Sequence, residues 1–137
     1  MIAYLTVMFK DTKAFSGFSV DDLQQAKDFY AQVLGLNLTE STDMPGLLTL
    51  HISGGTNIIV YVKPNHVPAT FTILNFPVPD IDSAVQSLTG LGVQFEHYDF
   101  DNFKTDPDGV FRAGGPLIAW FKDPAGNILS VIEQKES

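Results

Sequence analysis

The sequence predicts an α+β fold built from one supersecondary unit used twice. Three observations predict it. Val20-Asp21-Asp22-Leu23 and Val78-Pro79-Asp80-Ile81 each follow an apolar run and open an amphipathic stretch. Each of those stretches ends in Leu-Gly, at Leu34-Gly35 and at Leu91-Gly92. Each is then followed by short runs broken by Gly, Pro and Asn, the spacing of strands and turns. The unit is therefore strand, helix, three strands. Two copies facing each other leave a cleft, which is where function is to be sought.

The elements follow in order. Residues 1–13 are read as an extra N-terminal strand, because Ile2 to Phe9 is apolar but far too short to cross a bilayer. The first module spans 14–63. Ala14 to Val20 is its first strand, and an Asp caps the helix that follows. Leu23, Ala26, Phe29, Tyr30, Val33 and Leu34 share one helical face. Gly35 supplies the left-handed residue that ends it. Leu36 to Glu40, Leu47 to Ser53 and Asn57 to Val62 are strands, the last two joined through Gly54-Gly55. Residues 64–69, with two prolines, connect the modules.

The second module spans 70–137. Thr70 to Val78 is a strand, Asp80 to Leu91 a helix, Val93 to Tyr98 a strand. Leu117 to Lys122 and Ile128 to Glu133 close it as a hairpin around Asp123-Pro124-Ala125-Gly126-Asn127. An insertion, 99–116, breaks the symmetry. It carries Phe100, Phe103, Phe111 and Arg112. A segment of this length is either a pocket lid or a packed surface loop.

Composition narrows the function classes. The 137 residues carry a formal charge of −8 and no cysteine. Nucleic acid and anionic membrane are disfavoured as partners, since both need a basic patch. The acidity mildly favours a cationic ligand, although solubility alone accounts for it. A thiol nucleophile, a thiolate metal site and a disulfide framework are excluded, and the expected location is cytoplasmic. No signal peptide, Ser-His-Asp arrangement, phosphate loop or dinucleotide fingerprint is evident.

The ordered set Val20-Asp21-Asp22-Leu23, Phe29-Tyr30, Val33-Leu34-Gly35-Leu36, Pro79-Asp80-Ile81 and Phe121-Lys122-Asp123-Pro124-Ala125-Gly126-Asn127 resembles the vicinal oxygen chelate superfamily. That group includes glyoxalase I, extradiol dioxygenases, and fosfomycin- and bleomycin-resistance proteins. The resemblance covers about Ala14 to Gln134. It implies two tandem βαβββ modules forming a cupped, eight-stranded mixed sheet with the helices outside, and a homodimer.

The resemblance also implies where a divalent ion would bind. The usual ligands are His or Glu on the first strand of each module and Glu or His on the fourth. Counting back from Asp22 and Asp80 reaches Phe15 and Ile73, or Ser16 and Leu74 in the next register. Counting on from Asn127 reaches Ser130, and aligning Asn57 with Asn127 sets Val60 opposite it. None is an imidazole or a carboxylate, so the usual metal is not expected.

The remaining candidates are small-molecule contacts. In the family register Phe15, Gly17 and Ser19 share one face, and Ile73, Asn75 and Pro77 share its equivalent. Asn75 and Ser130 would be polar handles in an apolar cup. His51, on a strand with Thr49, could reach the cup or sit at its rim. Trp120 and Phe121 are adjacent, so one faces the cup and the other the helices; the area an aromatic buries weighs Trp120 toward the core. His66, in the connection, is expected at the surface.

The expected function is binding of a small molecule between the modules, with Asn75, Ser130, His51, Trp120 and Phe15 as contacts and no metal or other cofactor. The alternative is a metal-dependent lyase, isomerase or dioxygenase with non-standard ligands from His51, Glu96, His97 and Asp99. Catalytic residues are not assigned.

Overall fold

A computed structural model gives the fold, and residues 9–135 are described. The N-terminal strand expected within residues 1–13 lies mostly outside that range; Phe9–Asp11 forms a single 3-10 turn.

In each module the same sequence signal builds the same start. Strand β1, Ser16–Val20, leads into helix α1, Leu23–Asp28. Strand β5, Thr72–Val78, leads into α2, Ile81–Gly90. Asp22 and Asp80 sit at the two N-caps with almost identical extended backbones. The Asp22 carboxylate accepts from the Gln25 N–H, and that of Asp80 from the Asp82 and Ser83 N–H groups. These bonds satisfy amides that the first helical turn leaves orphaned. Gly35 and Gly92 take positive φ, +73° and +97°, where a side chain would be strained.

Helix α1 continues as a π turn over Phe29–Val33, with the Leu34 N–H bonded to the Phe29 carbonyl at 3.0 Å. This widening keeps Phe29, Tyr30, Val33 and Leu34 directed at the core.

Strands β2 (Asn37–Glu40), β3 (Leu47–His51) and β4 (Ile58–Val62) complete a sheet in the order β1-β4-β3-β2. The second sheet is β5-β10-β9-β8, with β8 at Val110–Phe111, β9 at Ile118–Lys122 and β10 at Ile128–Glu133. The order within the two sheets is the same. In each, the first strand runs parallel to the last and the remaining pairs are antiparallel. The eight strands thus form two sheets of four; no ladder joins β1 to β5 among the described residues.

One expected strand is not formed. Val93 to Tyr98 reduces to a single bridge, Phe95 to Phe121, with the Glu96 N–H bonded to the Trp120 carbonyl. Thr105 diverts the rest: its hydroxyl accepts from the Tyr98 N–H and its own N–H donates to the Tyr98 carbonyl, both at 2.9 Å. The chain therefore turns into the insertion, where β6 (Asp99–Phe100) and β7 (Phe103–Lys104) make a small hairpin. β8, from the insertion, takes the edge of the sheet instead.

The core lies between the helices and one face of the sheets. Val20, Leu48, Leu50 and Val60 from the first module, and Ile81, Ala119, Phe121 and Leu129 from the second, are fully buried. Each large aliphatic or aromatic side chain among them contributes on the order of 1.5–3 kcal/mol. Phe29 of the first module meets Phe121 of the second, ring centres 6.4 Å apart.

Candidate functional site

Alternation along the strands decides which residues face away from the helices. In the first sheet Phe18, Val20, Leu48, Leu50 and Val60 point into the core. Gly17, Ser19, Thr49, His51, Ile59 and Tyr61 therefore occupy the opposite face. Val60 thus does not correspond to Ser130 as the Asn57–Asn127 alignment suggests: it is buried on the helix side, and its neighbours Ile59 and Tyr61 hold the free face.

In the second sheet Leu129 and Val131 are core, and Ile128, Ser130, Trp120 and Asn75 share the free face. A bulge between Ile128 and Leu129 shifts the pairing, so that Thr72 opposes Ile128 and Leu74 opposes Leu129. Ile73 is left as the extra residue, and Thr72 enters the free face in its place.

Thr72 accepts a hydrogen bond from the Trp120 indole N–H, 3.0 Å. This fixes the ring over the free face, while its neighbour Phe121 is the fully buried core aromatic. The core position weighed for Trp120 is thereby corrected. The two residues differ by one step, and the closing turn sets the phase.

The insertion supplies more rings. Phe103 stacks on Phe111 (centres 4.6 Å apart, planes 13° apart), lies beside Phe100 at 5.4 Å, and packs obliquely on Trp120 at 5.4 Å. Tyr98 meets Trp120 edge-on at 5.7 Å. Burial, foremost, and the Glu96 carboxylate raise the Tyr98 phenol above its ordinary range, so it stays protonated. The result is a recess of about 260 Å³ lined by Phe71, Thr72, Tyr98, Phe100, Phe103, Trp120 and Ile128, together with Thr70. Among the described residues no charged side chain lines it.

A second recess, about 430 Å³, adjoins the first at Phe71 and Thr72 and runs between the modules. Its walls include Gly17, Ser19, Ile58 and Tyr61 from the first module and Phe71 to Ile73 and Asn127 from the second, with His66 from the connection. A larger hollow of about 770 Å³ lies on the helix side, between α2 and the insertion. Asp82, Gln86, Thr89 and Asp108 on its rim are exposed surface positions, so it is an open groove rather than a formed site.

The candidates read from the sequence divide as follows. Ser130 is on the expected face but fully buried, and its hydroxyl donates to the Asn75 amide oxygen at 2.5 Å. It orients Asn75, which is exposed, and is not itself open to a ligand. Phe15 lies just before β1 and is 68% exposed, outside both recesses. His51 is exposed on the first sheet, bonded to Thr39 of the edge strand β2 at 2.6 Å. The structure does not bring it together with Asn75 or Trp120.

His66 departs from its expected surface position. It is half-buried, with Nδ1 2.6 Å from the Ser19 hydroxyl and Nε2 3.0 Å from the Ala125 carbonyl. Thr72, Tyr98 and His66 line these recesses and are not among the contacts expected from the sequence. Neither a bulge nor a contact between distant segments has a local sequence signal.

The donor chemistry can be tested for a divalent ion. On β1, β4, β5 and β10 the free face carries Gly17, Ser19, Ile59, Tyr61, Thr72, Asn75, Ile128 and Ser130, none of them an imidazole or a carboxylate. Of the non-standard set, His97 bonds the Pro107 carbonyl, Glu96 pairs with Lys122 at 3.3 Å, and His51 is on the other sheet. Among the described residues no three His, Asp or Glu side chains converge. These residues do not fit a divalent ion.

The comparisons with known proteins bear on this fold. The model of the Glyoxalase/Bleomycin resistance protein/Dioxygenase superfamily matches residues 15–131. A superfamily member from Sphaerobacter thermophilus DSM 20745 superposes with a TM-score of 0.66 at 24% identity, covering 93% of this chain and 100% of its own. An antibiotic binding protein from Streptomyces sp. CB03234 gives 0.63 at 22%, covering 93% and 99%. A glyoxalase/bleomycin resistance protein from the same organism gives 0.60 at 24%, covering 88% and 99%. No curated protein matches the chain significantly. With paired strand–helix–strand modules in both halves and a family match over most of its length, this chain belongs to the glyoxalase/bleomycin resistance protein/dioxygenase superfamily.

Proposed function

We propose that the protein binds a small, neutral, planar organic molecule in the aromatic recess on the second sheet, without the divalent ion that its metal-binding relatives use. The observation that carries this is the recess itself. Phe103, Phe100 and Tyr98 stand around Trp120, whose indole is held by Thr72, and no carboxylate lines the walls. Apolar walls with a few placed polar groups suit a ring system. The chain's negative charge lies elsewhere, so the cationic preference drawn from composition is not carried forward. A fold neighbour described as an antibiotic binding protein agrees with a small-molecule ligand.

In this reading the chain is a binding protein that works as a homodimer, with Asn75, oriented by Ser130, on the same sheet face as Trp120. Trp120 is the only tryptophan, so its emission reports directly on the recess. Titration with neutral one- to three-ring aromatics is expected to change that emission saturably and to raise the melting temperature. Phe103→Ala should weaken binding by roughly tenfold, the loss of about one aromatic contact. If the panel leaves both emission and melting unchanged up to millimolar concentration, the proposal fails. Elemental analysis of the untagged protein is expected to show substoichiometric metal.

A further inference from the structure

The Ser19 and His66 pair is not used by the aromatic recess, and its chemistry is specific. A backbone carbonyl can only accept, so the His66 Nε2 that lies 3.0 Å from the Ala125 oxygen carries the ring proton. In the neutral imidazole Nδ1 is then the lone-pair nitrogen. It accepts from the Ser19 hydroxyl, 2.6 Å away. A serine hydroxyl is thus held by a base whose tautomer is locked by a third group, the arrangement that activates a serine nucleophile.

The surroundings complete the arrangement. Ser19 lies on β1, which among the described residues is an edge strand paired with β4 alone. The Val20 carbonyl faces β4, where it accepts from the Lys63 N–H. The Ser19 carbonyl faces the other way and accepts from the buried Asn127 amide at 2.9 Å. Alternation along the strand sends the Ser19 N–H to that same free edge. Ser19 itself lines the 430 Å³ groove between the modules, so its hydroxyl and this edge amide belong to one wall of it. Asn127 is anchored in turn by Asp123, at 3.0 Å, so the backbone at Ser19 is firmly held. Ile58, Tyr61, Val67 and Phe71 give the groove an apolar wall.

We propose that Ser19 is a nucleophile, with His66 as its general base, for acyl transfer from carboxylic esters bearing an apolar acyl group. Ser19 Oγ attacks the ester carbonyl carbon and its proton passes to His66 Nδ1. The tetrahedral adduct collapses, and the departing alkoxide takes the proton from Nδ1 as the alcohol. Water, losing a proton to the same nitrogen, then attacks the acyl-serine. The carboxylic acid leaves as Ser19 regains its proton. The Ser19 N–H is placed to donate to the oxygen that gains charge. This proposal does not rest on the aromatic recess, and either can fail without the other.

The test is covalent labelling of the folded protein with a fluorophosphonate, read by intact mass and peptide mapping, beside hydrolysis of p-nitrophenyl butyrate. One adduct per chain on Ser19 is expected, and a single-turnover burst of p-nitrophenol that Ser19→Ala abolishes. His66→Gln is expected to slow labelling at least about 100-fold, the usual share of a general base. Absence of label on Ser19, a rate no greater than at other serines, or an unchanged rate in folded His66→Gln would each overturn the assignment and leave the pair a structural latch. Should His66→Gln fail to fold, Ser19→Cys replaces it. Alkylation of that thiol by iodoacetamide must be faster in the folded protein than in urea, and an equal or slower rate overturns the proposal.

Discussion

Tyr30→Phe removes one hydroxyl and nothing else, and the structure sets what that costs. Tyr30 is fully buried in the π turn of the first module, and Asp123 is 4% exposed in the closing turn of the second. The phenol donates to the Asp123 Oδ2 at 2.7 Å. Burial, then the Asp123 charge and this bond, push the phenol well above its ordinary range, so it remains a donor throughout. Oδ2 also accepts from the Asn127 amide, while Oδ1 accepts from the Ala125 and Asn127 N–H groups. In the variant Oδ2 keeps only the Asn127 bond, in a place water does not reach. The ring contacts with Phe18 and Phe29 survive. A hydrogen bond to a charged group contributes about 1.5–3 kcal/mol, so a loss of about 2 kcal/mol is expected. For a chain of this size that lowers Tm by roughly 8 °C. Urea unfolding followed by circular dichroism measures it, with an unchanged m-value. A loss below about 0.5 kcal/mol would refute the reasoning that this bond, joining the two modules, matters to the fold.

Two further outcomes follow from charged groups. The Ser83 backbone N–H holds the Asp80 carboxyl below its ordinary value of 3.8. For Asp106, burial works to raise the carboxyl, but Arg112 and the Val110 and Asp108 N–H groups outweigh it and hold it low. The unfolded chain binds these protons more readily, so their stabilisation is complete above 3.8 and is lost as pH falls through the lower folded values. Acid titration of Tm should show this limb, and Asp80→Ala should flatten it. Arg112 pairs with Asp82 of α2 at 2.5 Å and with Asp106 at 2.6 Å, and is substantially exposed. Arg112→Ala is therefore expected to cost only about 0.5 kcal/mol globally. Limited proteolysis should nonetheless cut several-fold faster within 99–116, and an unchanged cleavage rate would show that the pairs do not hold the insertion.

What was legible in the sequence was local. Asp22 and Asp80 announce helix starts because capping needs only the next three residues, and Gly35 and Gly92 announce helix ends because only the backbone angle matters there. Strand phase was less legible. A two-residue period says that Trp120 and Phe121 face opposite ways but not which faces inward, and the same ambiguity misplaced Val60. Partners distant in the chain were hidden. Thr105 captures Tyr98 and dissolves an expected strand, and His66 looks like linker until Ser19 and Ala125 are brought to it from either side. Asn75 and Ser130 were found on the right face, yet the short bond between them, which buries one and orients the other, appears only when β5 and β10 are paired.

The repeat explains why this chain carries its candidate chemistry asymmetrically. Duplication supplies two equivalent sheets, each with a free face that the helices do not cover. In the first module that face carries Thr49, His51 and Tyr61 and receives no insertion of comparable length. In the second, the insertion folds Phe103 against Trp120 and walls an open apolar recess on the sheet. The seam between the modules is a third environment, where among the described residues edge strand β1 meets the closing turn through Asn127 and His66 instead of a ladder, and Tyr30 reaches the same turn at Asp123. The outer side of an edge strand leaves backbone donors and acceptors to be satisfied. Side chains bridge this seam, and one of them is an imidazole set against a hydroxyl. One strand order used twice thus ends in two different surroundings: an aromatic face on the second sheet and a seam bridged by side chains.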